Sequence, residues 1–264
     1  MNNPGSSTAT IADLIPRVQA ALQNNPNVNE KQANPEMRPS AWIRDALREI
    51  TESQPFEELR VPDPPQVTIG PGLGIAGSSY KFYVSTFLNS GDDYTLSEDV
   101  VIFLNQALTG PGTPNTANAV AYPMEFLTPK AIAPMLNIQG GIPFKYTRFG
   151  TQFWFGPQPN TNFVTYLPYQ LRHPFVDTAL ASSPVYVPPS WFDIVSYAAA
   201  ERGAVANRWN EQATFLHTLL YGDPASGTKD GVLARPGLIA ARTLQPERDR
   251  RLSTIQIGIV AQRY

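Results

Sequence analysis

The chain has 264 residues, 42% of them hydrophobic and only 16% charged, with a formal net charge of −2. It is long enough for one large domain or two small ones with a core of their own. Twenty-six prolines and 18 glycines argue against a compact all-helical fold, and the lack of cysteine excludes a disulfide framework, a thiolate zinc site and a cysteine nucleophile. With two histidines, His173 and His217, little remains for histidine-based metal or acid–base chemistry.

The stretch from Met1 to Ala9 has neither the basic segment nor the apolar run of a signal or transit peptide, and no 18-residue apolar run predicts a membrane span. A first helix is predicted over Ile11–Gln23, with Ile11, Leu14, Ile15, Val18 and Leu22 on one stripe, Thr10 as its cap and Pro16 inside it. Ser40 reads as the cap of a second helix running to about Glu52, with Trp42, Ile43, Ala46, Leu47 and Ile50 on its apolar face.

From Val61 to about Asp177 short apolar or alternating runs are separated by Gly, Pro, Asn and Asp. Strands are expected near Val67–Ile69, Tyr80–Val84, Val100–Leu104, Phe144–Phe149, Gln152–Phe155 and Phe163–Leu171, with a short helix from Thr128-Pro129 to about Leu136. After Pro188-Pro189 one helix is predicted from Ser190 to Tyr221, about 45 Å long, ended by Gly222-Asp223-Pro224. Its stripe holds Trp191, Trp209 and Leu216, which are the expected subunit-packing residues, since its apolar face exceeds what two short helices cover. The last forty residues mix Pro, Gly, Arg and isolated apolar side chains, the composition of an arm that folds on a partner.

The fold class read from this pattern is α+β: a helical bundle of two N-terminal helices and one long C-terminal helix, an inserted, mostly antiparallel β domain, and an extended arm. The divisions are 1–60 for the first helices, 61–185 for the β-rich part, 186–224 for the long helix and 225–264 for the arm. From Lys229 to Tyr264 there are seven basic and three acidic residues, a net +4 on a body of −6, which suggests that the arm docks on an acidic surface.

Several patterns suggest chemistry. Gly72-Leu73-Gly74-Ile75-Ala76-Gly77 matches a dinucleotide fingerprint, but prolines precede it and a β-like run follows, so it reads as a flexible hairpin loop. Ser78-Ser79-Tyr80-Lys81 has the spacing of a serine acyl-enzyme motif without its companions. Asp92, Asp93, Glu98 and Asp99 lack calcium-loop spacing and read as a solvated loop. Tyr146, Phe149, Phe153, Trp154, Phe155, Phe163, Tyr166 and Tyr169, with Lys145 and Arg148, could stack sugars or bases, but alternation turns half of them into the core. No catalytic, cofactor or metal residues are assigned, and a non-enzymatic role is expected.

The segments Trp42–Ile50, Thr147-Arg148-Phe149-Gly150 with Phe155-Gly156-Pro157, Tyr169–Phe175, and Trp191 through Tyr221-Gly222-Asp223-Pro224 resemble, in layout and phrasing, the head-to-tail adaptors of tailed bacteriophages, the tail tubular A type among them. The resemblance covers most of the chain. It implies a virion neck protein, assembled in the host bacterial cytoplasm, that forms a ring, by family a dodecamer, beneath the portal and joins it to a tail or nozzle protein. DNA would pass through without sequence-specific binding, and an acidic body suits such a channel because it does not hold phosphate. The arm then becomes the portal-binding element through Arg235, Leu238, Ile239, Arg242, Arg250, Arg251, Leu252 and Tyr264. The alternatives are a tail-completion or stopper protein one level lower, and a glycan- or nucleic-acid-binding module using the aromatic strands.

Overall fold

The structure, a computed structural model, describes residues 9–110, 113–222 and 238–239. Its helices are α1 (Ile11–Ala21), α2 (Pro39–Ser53), α3 (Pro129–Ile132), α4 (Phe192–Ala206) and α5 (Asn210–Tyr221). The fold is mixed α+β with several antiparallel sheets, in two compact units: Leu59–Arg172 forms one, and the described residues on either side of it, up to 58 and from 173, form the other.

In the helical unit α4 packs on α1, α2 and α5. Its sequence explains the central place: Ile194, Val195, Ser196, Ala198, Ala199, Ala200, Gly203 and Ala204 are all buried, so small or apolar residues face inward around most of the helix. Helix α1 contributes Ile11, Leu14 and Val18, and α2 contributes Trp42, Ile43, Ala46, Leu47 and Ile50. Each of the larger side chains is worth roughly 1.5–3 kcal/mol on burial. At Gly203 α4 lies so near α2 that an added Cβ would sit 2.5 Å from the Trp42 ring.

The first helix starts as expected at Thr10, whose N–H and hydroxyl both donate to the Asp13 carboxylate, at 2.7 and 2.9 Å. It ends at Ala21 instead of Gln23, because Gln23 and Asn24 turn into the left-handed region at φ 57° and 53°. Ser40 is not the cap of α2. Pro39 occupies the first turn, and Ser40 donates its N–H and its hydroxyl to Glu30, both at 2.7 Å, so a carboxylate ten residues upstream satisfies the helix start.

The single long helix is corrected as well. It breaks at Asn207-Arg208-Trp209, where Arg208 takes φ 61°, the Asn207 amide donates to Gly203 O at 2.8 Å and the Trp209 N–H to Ala204 O at 2.8 Å. Helix α5 then folds back on α4. His217 Nδ1 lies 2.7 Å from the Glu201 carboxylate, although sixteen residues of straight helix would separate them by about 24 Å. The Asn207 side chain closes α4 on its own backbone, a stop that needs neither glycine nor proline.

The β-rich unit carries β1 (Val67–Ile69), β2 (Lys81–Tyr83), β3 (Tyr94–Ser97), β4 (Val101–Leu104), β5 (Ala107–Gly110), β6 (Thr113–Asn115), β7 (Val120–Pro123), β8 (Glu125–Phe126), β9 (Gln139–Gly141), β10 (Lys145–Phe149), β11 (Gln152–Gly156), β12 (Gln158–Pro159), β13 (Phe163–Tyr166) and β14 (Tyr169–Leu171). Two four-stranded sheets dominate, in the orders β1-β13-β4-β7 and β2-β11-β10-β8, and only the β8–β10 pair within them is parallel. Both turn apolar faces into one core, with Ile69, Ile102 and Phe163 from the first and Phe82, Phe153 and Phe155 from the second around Phe87 and Met124. Its rings meet edge to face, Phe87 with Phe153 at 5.4 Å and Phe82 with Phe155 at 5.8 Å.

The predicted strand Phe163–Leu171 is two. Pro168 supplies no N–H between β13, which pairs with β1 and β4, and β14, which pairs with β3. The glycine-rich segment is not a hairpin loop either, because β1 and β2 belong to different sheets and it carries the chain from one to the other.

Candidate partner-binding surfaces

The helical unit brings two of the three expected packing residues to its surface and buries the third. Trp191 is half-buried and meets Phe56 edge-on at 5.0 Å. Leu216 is only 2% exposed, so its stripe position faces its own core and it cannot pack on a neighbouring copy. Trp209 stands half-buried at the α4–α5 elbow, in a concavity with Ala21, Gln23 and Phe215, and α5 is tied there to the end of α1 by the Gln212 amide donating to Ala21 O at 2.9 Å. Val205 and Phe215, on the two arms of the elbow, are 61% and 66% exposed, the most exposed large hydrophobic side chains among the described residues. Reasoning from the stripe missed Phe215, which lies off it.

Nearby polar groups pair locally. The Arg202 guanidinium meets Glu49, which also accepts from the Tyr221 hydroxyl at 3.0 Å, and Arg17 lies 2.5 Å from Asp193. Burial first, then the Glu49 carboxylate, pushes the Tyr221 phenol up to about 12, so it acts as a donor throughout the neutral range. Of the arm residues, Leu238 and Ile239 are half-buried, while Arg235, Arg242, Arg250, Arg251, Leu252 and Tyr264 lie outside the described residues.

His173 sits 2% exposed beneath Phe175, which stacks on it at 4.5 Å. Its Nε2 accepts from the Tyr186 N–H at 3.1 Å, which leaves Nδ1 to donate to the Pro174 carbonyl at 3.1 Å and makes the ring neutral. Desolvation, with a smaller push from Arg48, lowers its pKa to about 4. This is a structural histidine.

In the β-rich unit each member of the acidic cluster has its own partner. Asp92 accepts from the Tyr169 hydroxyl at 2.6 Å, Asp93 pairs with Arg172 at 3.1 Å, Glu98 with Arg60, and Asp99 accepts from the Tyr146 hydroxyl at 3.0 Å. Burial first, then these carboxylates, raises both phenols, that of Tyr169 to about 12. Among the described residues no group of three or more His, Cys, Asp or Glu could hold a metal ion.

The glycine-rich segment spends its amides on itself. The Gly74 N–H donates to Ser78 O at 2.7 Å, and a Cβ there would sit 2.3 Å from Lys81 O, so that glycine serves the turn. The Ser78 hydroxyl accepts from the Tyr80 and Lys81 N–H groups, and the Lys81 ammonium lies 4.9 Å from the Trp154 ring centre. Trp154 is also stacked by Phe149 at 5.0 Å, and Tyr166 lies against Phe103 at 5.4 Å. Tyr146, Phe153, Phe155, Phe163 and Tyr169 are core. Phe149 itself is 55% exposed, and on β7 Val120 and Tyr122 are both 47% exposed. Comparison of the chain with protein-family models and with curated protein sequences returns no match.

Proposed function

We propose that this chain is a structural protein of a virion neck, a head-to-tail adaptor that works by assembly and not by chemistry. In this reading α1, α2, α4 and α5 form a bundle into which residues 59–172 are inserted, copies pack side by side into a ring beneath a portal, and DNA passes through. The observation that carries the reading is the apolar elbow of Val205, Trp209 and Phe215. Val205 and Phe215, both more than half exposed beside the half-buried Trp209, mark a surface for another protein. The layout resemblance supplies the ring and the portal, and the +4 charge from Lys229 onward suits an acidic docking surface.

The test is solution mass by light scattering, on the chain alone and mixed with its candidate portal. A defined large complex on mixing supports the adaptor. Removal of everything after Gly231 is expected to leave a cooperative melting transition and abolish portal attachment. A full-length chain that stays monomeric with the portal present would sink the reading, and position in an assembled particle separates an adaptor from a stopper.

A further inference from the structure

Strand β7 is the edge of its sheet. It pairs with β4 in the register Val101↔Pro123, Ile102↔Tyr122, Phe103↔Ala121 and Leu104↔Val120, and among the described residues no strand pairs with its other side. The N–H and C=O of Ala121 and the C=O of Pro123 point away from β4. All four of its residues are exposed. Native edges are ordinarily protected by charge, by a bulge or by a covering segment. Among the described residues this one has Pro123 at its end and no covering strand, and it lies in a run of 25 residues, Val100–Met124, without one Asp, Glu, Lys or Arg; at the chain's overall 16% such a run would hold four. The next residue, Glu125, is neutralised by Lys145. Met124, 1% exposed, anchors the rim to the core and donates its N–H to Val100 O at 2.7 Å. Among the described residues the edge is therefore firmly held, uncharged and without a second partner strand.

The chain contains a segment that matches it. Thr254-Ile255-Gln256-Ile257-Gly258-Ile259-Val260 alternates with period two, placing Ile255, Ile257 and Ile259 on one side. It is rich in β-branched residues, contains no proline, and sits in an uncharged stretch from Leu252 to Gln262. A neutral strand is the partner an uncharged edge accepts without desolvating a charge. Its isoleucine row would continue the apolar row of Val120 and Tyr122, which share one face of β7. The residues between Gly222 and Thr254 can span up to ~100 Å when extended, enough to reach an adjacent copy.

We infer that β7 accepts, as an added strand, residues 254–260 of a neighbouring copy of this chain. The inference rests on the ring-forming reading for its neighbour and adds a second contact between copies to the elbow. Main-chain hydrogen bonds to β7 hold the strand, and the isoleucine row gives the register.

The natural absence of cysteine makes the test direct. Chains carrying Tyr122→Cys are mixed with chains carrying Ile255→Cys, Ile257→Cys or Ile259→Cys in turn, oxidised, and read on a non-reducing gel. Leu73→Cys, on an exposed turn, replaces Tyr122→Cys as the control. Cross-strand neighbours lie within disulfide reach, so one of the three pairings should give a mixed dimer at least five-fold above the control. Dimer at the control level for all three overturns the inference. Cross-linking and solution mass are both read on mixtures that also contain the candidate portal, which separates the two failures: a large complex with control-level cross-linking leaves the ring without this strand, and a persistent monomer removes both.

Discussion

Gly203 and His173 show how single positions hold the helical unit. In a helix interior, glycine to alanine ordinarily gains up to about 1 kcal/mol. At Gly203 the new methyl would meet Cζ3 and Cε3 of Trp42 at 2.5 and 2.6 Å. That ring is 4% exposed and tethered through Nε1 to Glu36 O at 2.9 Å, so it has nowhere to go. The clash wins, and Gly203→Ala should destabilise the chain by about 1–2 kcal/mol in urea unfolding. For His173 the sign runs through the proton. The unfolded ring takes a proton as pH falls below 6.5, whereas the folded ring stays neutral down to about 4. Stability is fully present above pH 6.5 and drops by roughly 3 kcal/mol between 6.5 and 4. Carboxylates titrate in the same window, so the measurement is the difference between wild type and His173→Gln. The Gln oxygen can still accept from the Tyr186 N–H, and its stability should lack this component.

At the level of elements, the instructive cases are the start of α2 and the end of α4. Both helices were visible in the sequence as apolar stripes, because Trp42, Ile43, Ala46, Leu47 and Ile50, or Ile194, Val195 and Ala198, recur at helical spacing whatever they pack against. Their ends depended on side chains that periodicity does not weigh. Glu30→Gln keeps the size of the acceptor but removes the charge facing the first turn of α2, and should cost about 1 kcal/mol by chemical denaturation. Loss of helical signal below the transition would show instead that the cap is needed to form α2 at all. Within the β-rich unit the strands read correctly were rich in aromatic, aliphatic or β-branched residues, among them β1, β4 and β11. The missed ones, such as β7, β9 and β12, are short and carry Gly, Pro or Gln, and they exist because a neighbour offers them hydrogen bonds.

For the whole molecule, the elbow of α4 and α5 is where folding and the proposed assembly can be told apart. Phe215 is two-thirds exposed and supports none of the core, so Phe215→Glu should leave the melting temperature within a few degrees of wild type. The same change puts a charge on the proposed lateral contact and should prevent formation of the large complex in light scattering with the portal. An unaltered complex would move the contact elsewhere on the helical unit. The surface ion pairs, such as Arg17–Asp193 and Arg172–Asp93, involve largely exposed groups and contribute little to stability. Raising the salt concentration is therefore expected to weaken docking of the basic segment much more than the fold.

The sequence by itself determined the α+β character, the start of α1, the apolar stripe of α2 and most of the longer strands. All of these follow from spacing within a few residues, which the chain carries wherever it folds. Only the tertiary structure decided that α4 and α5 are two helices, that Leu216 faces inward and Phe215 outward, that Glu30 and not Ser40 caps α2, and that the acidic cluster is divided among Tyr169, Arg172, Arg60 and Tyr146. Each of these is a pairing between residues distant in sequence or a turn enforced by one. The physical reason is the same in every case: exposure and hydrogen-bond partnership belong to the packed molecule, while periodicity belongs to the chain.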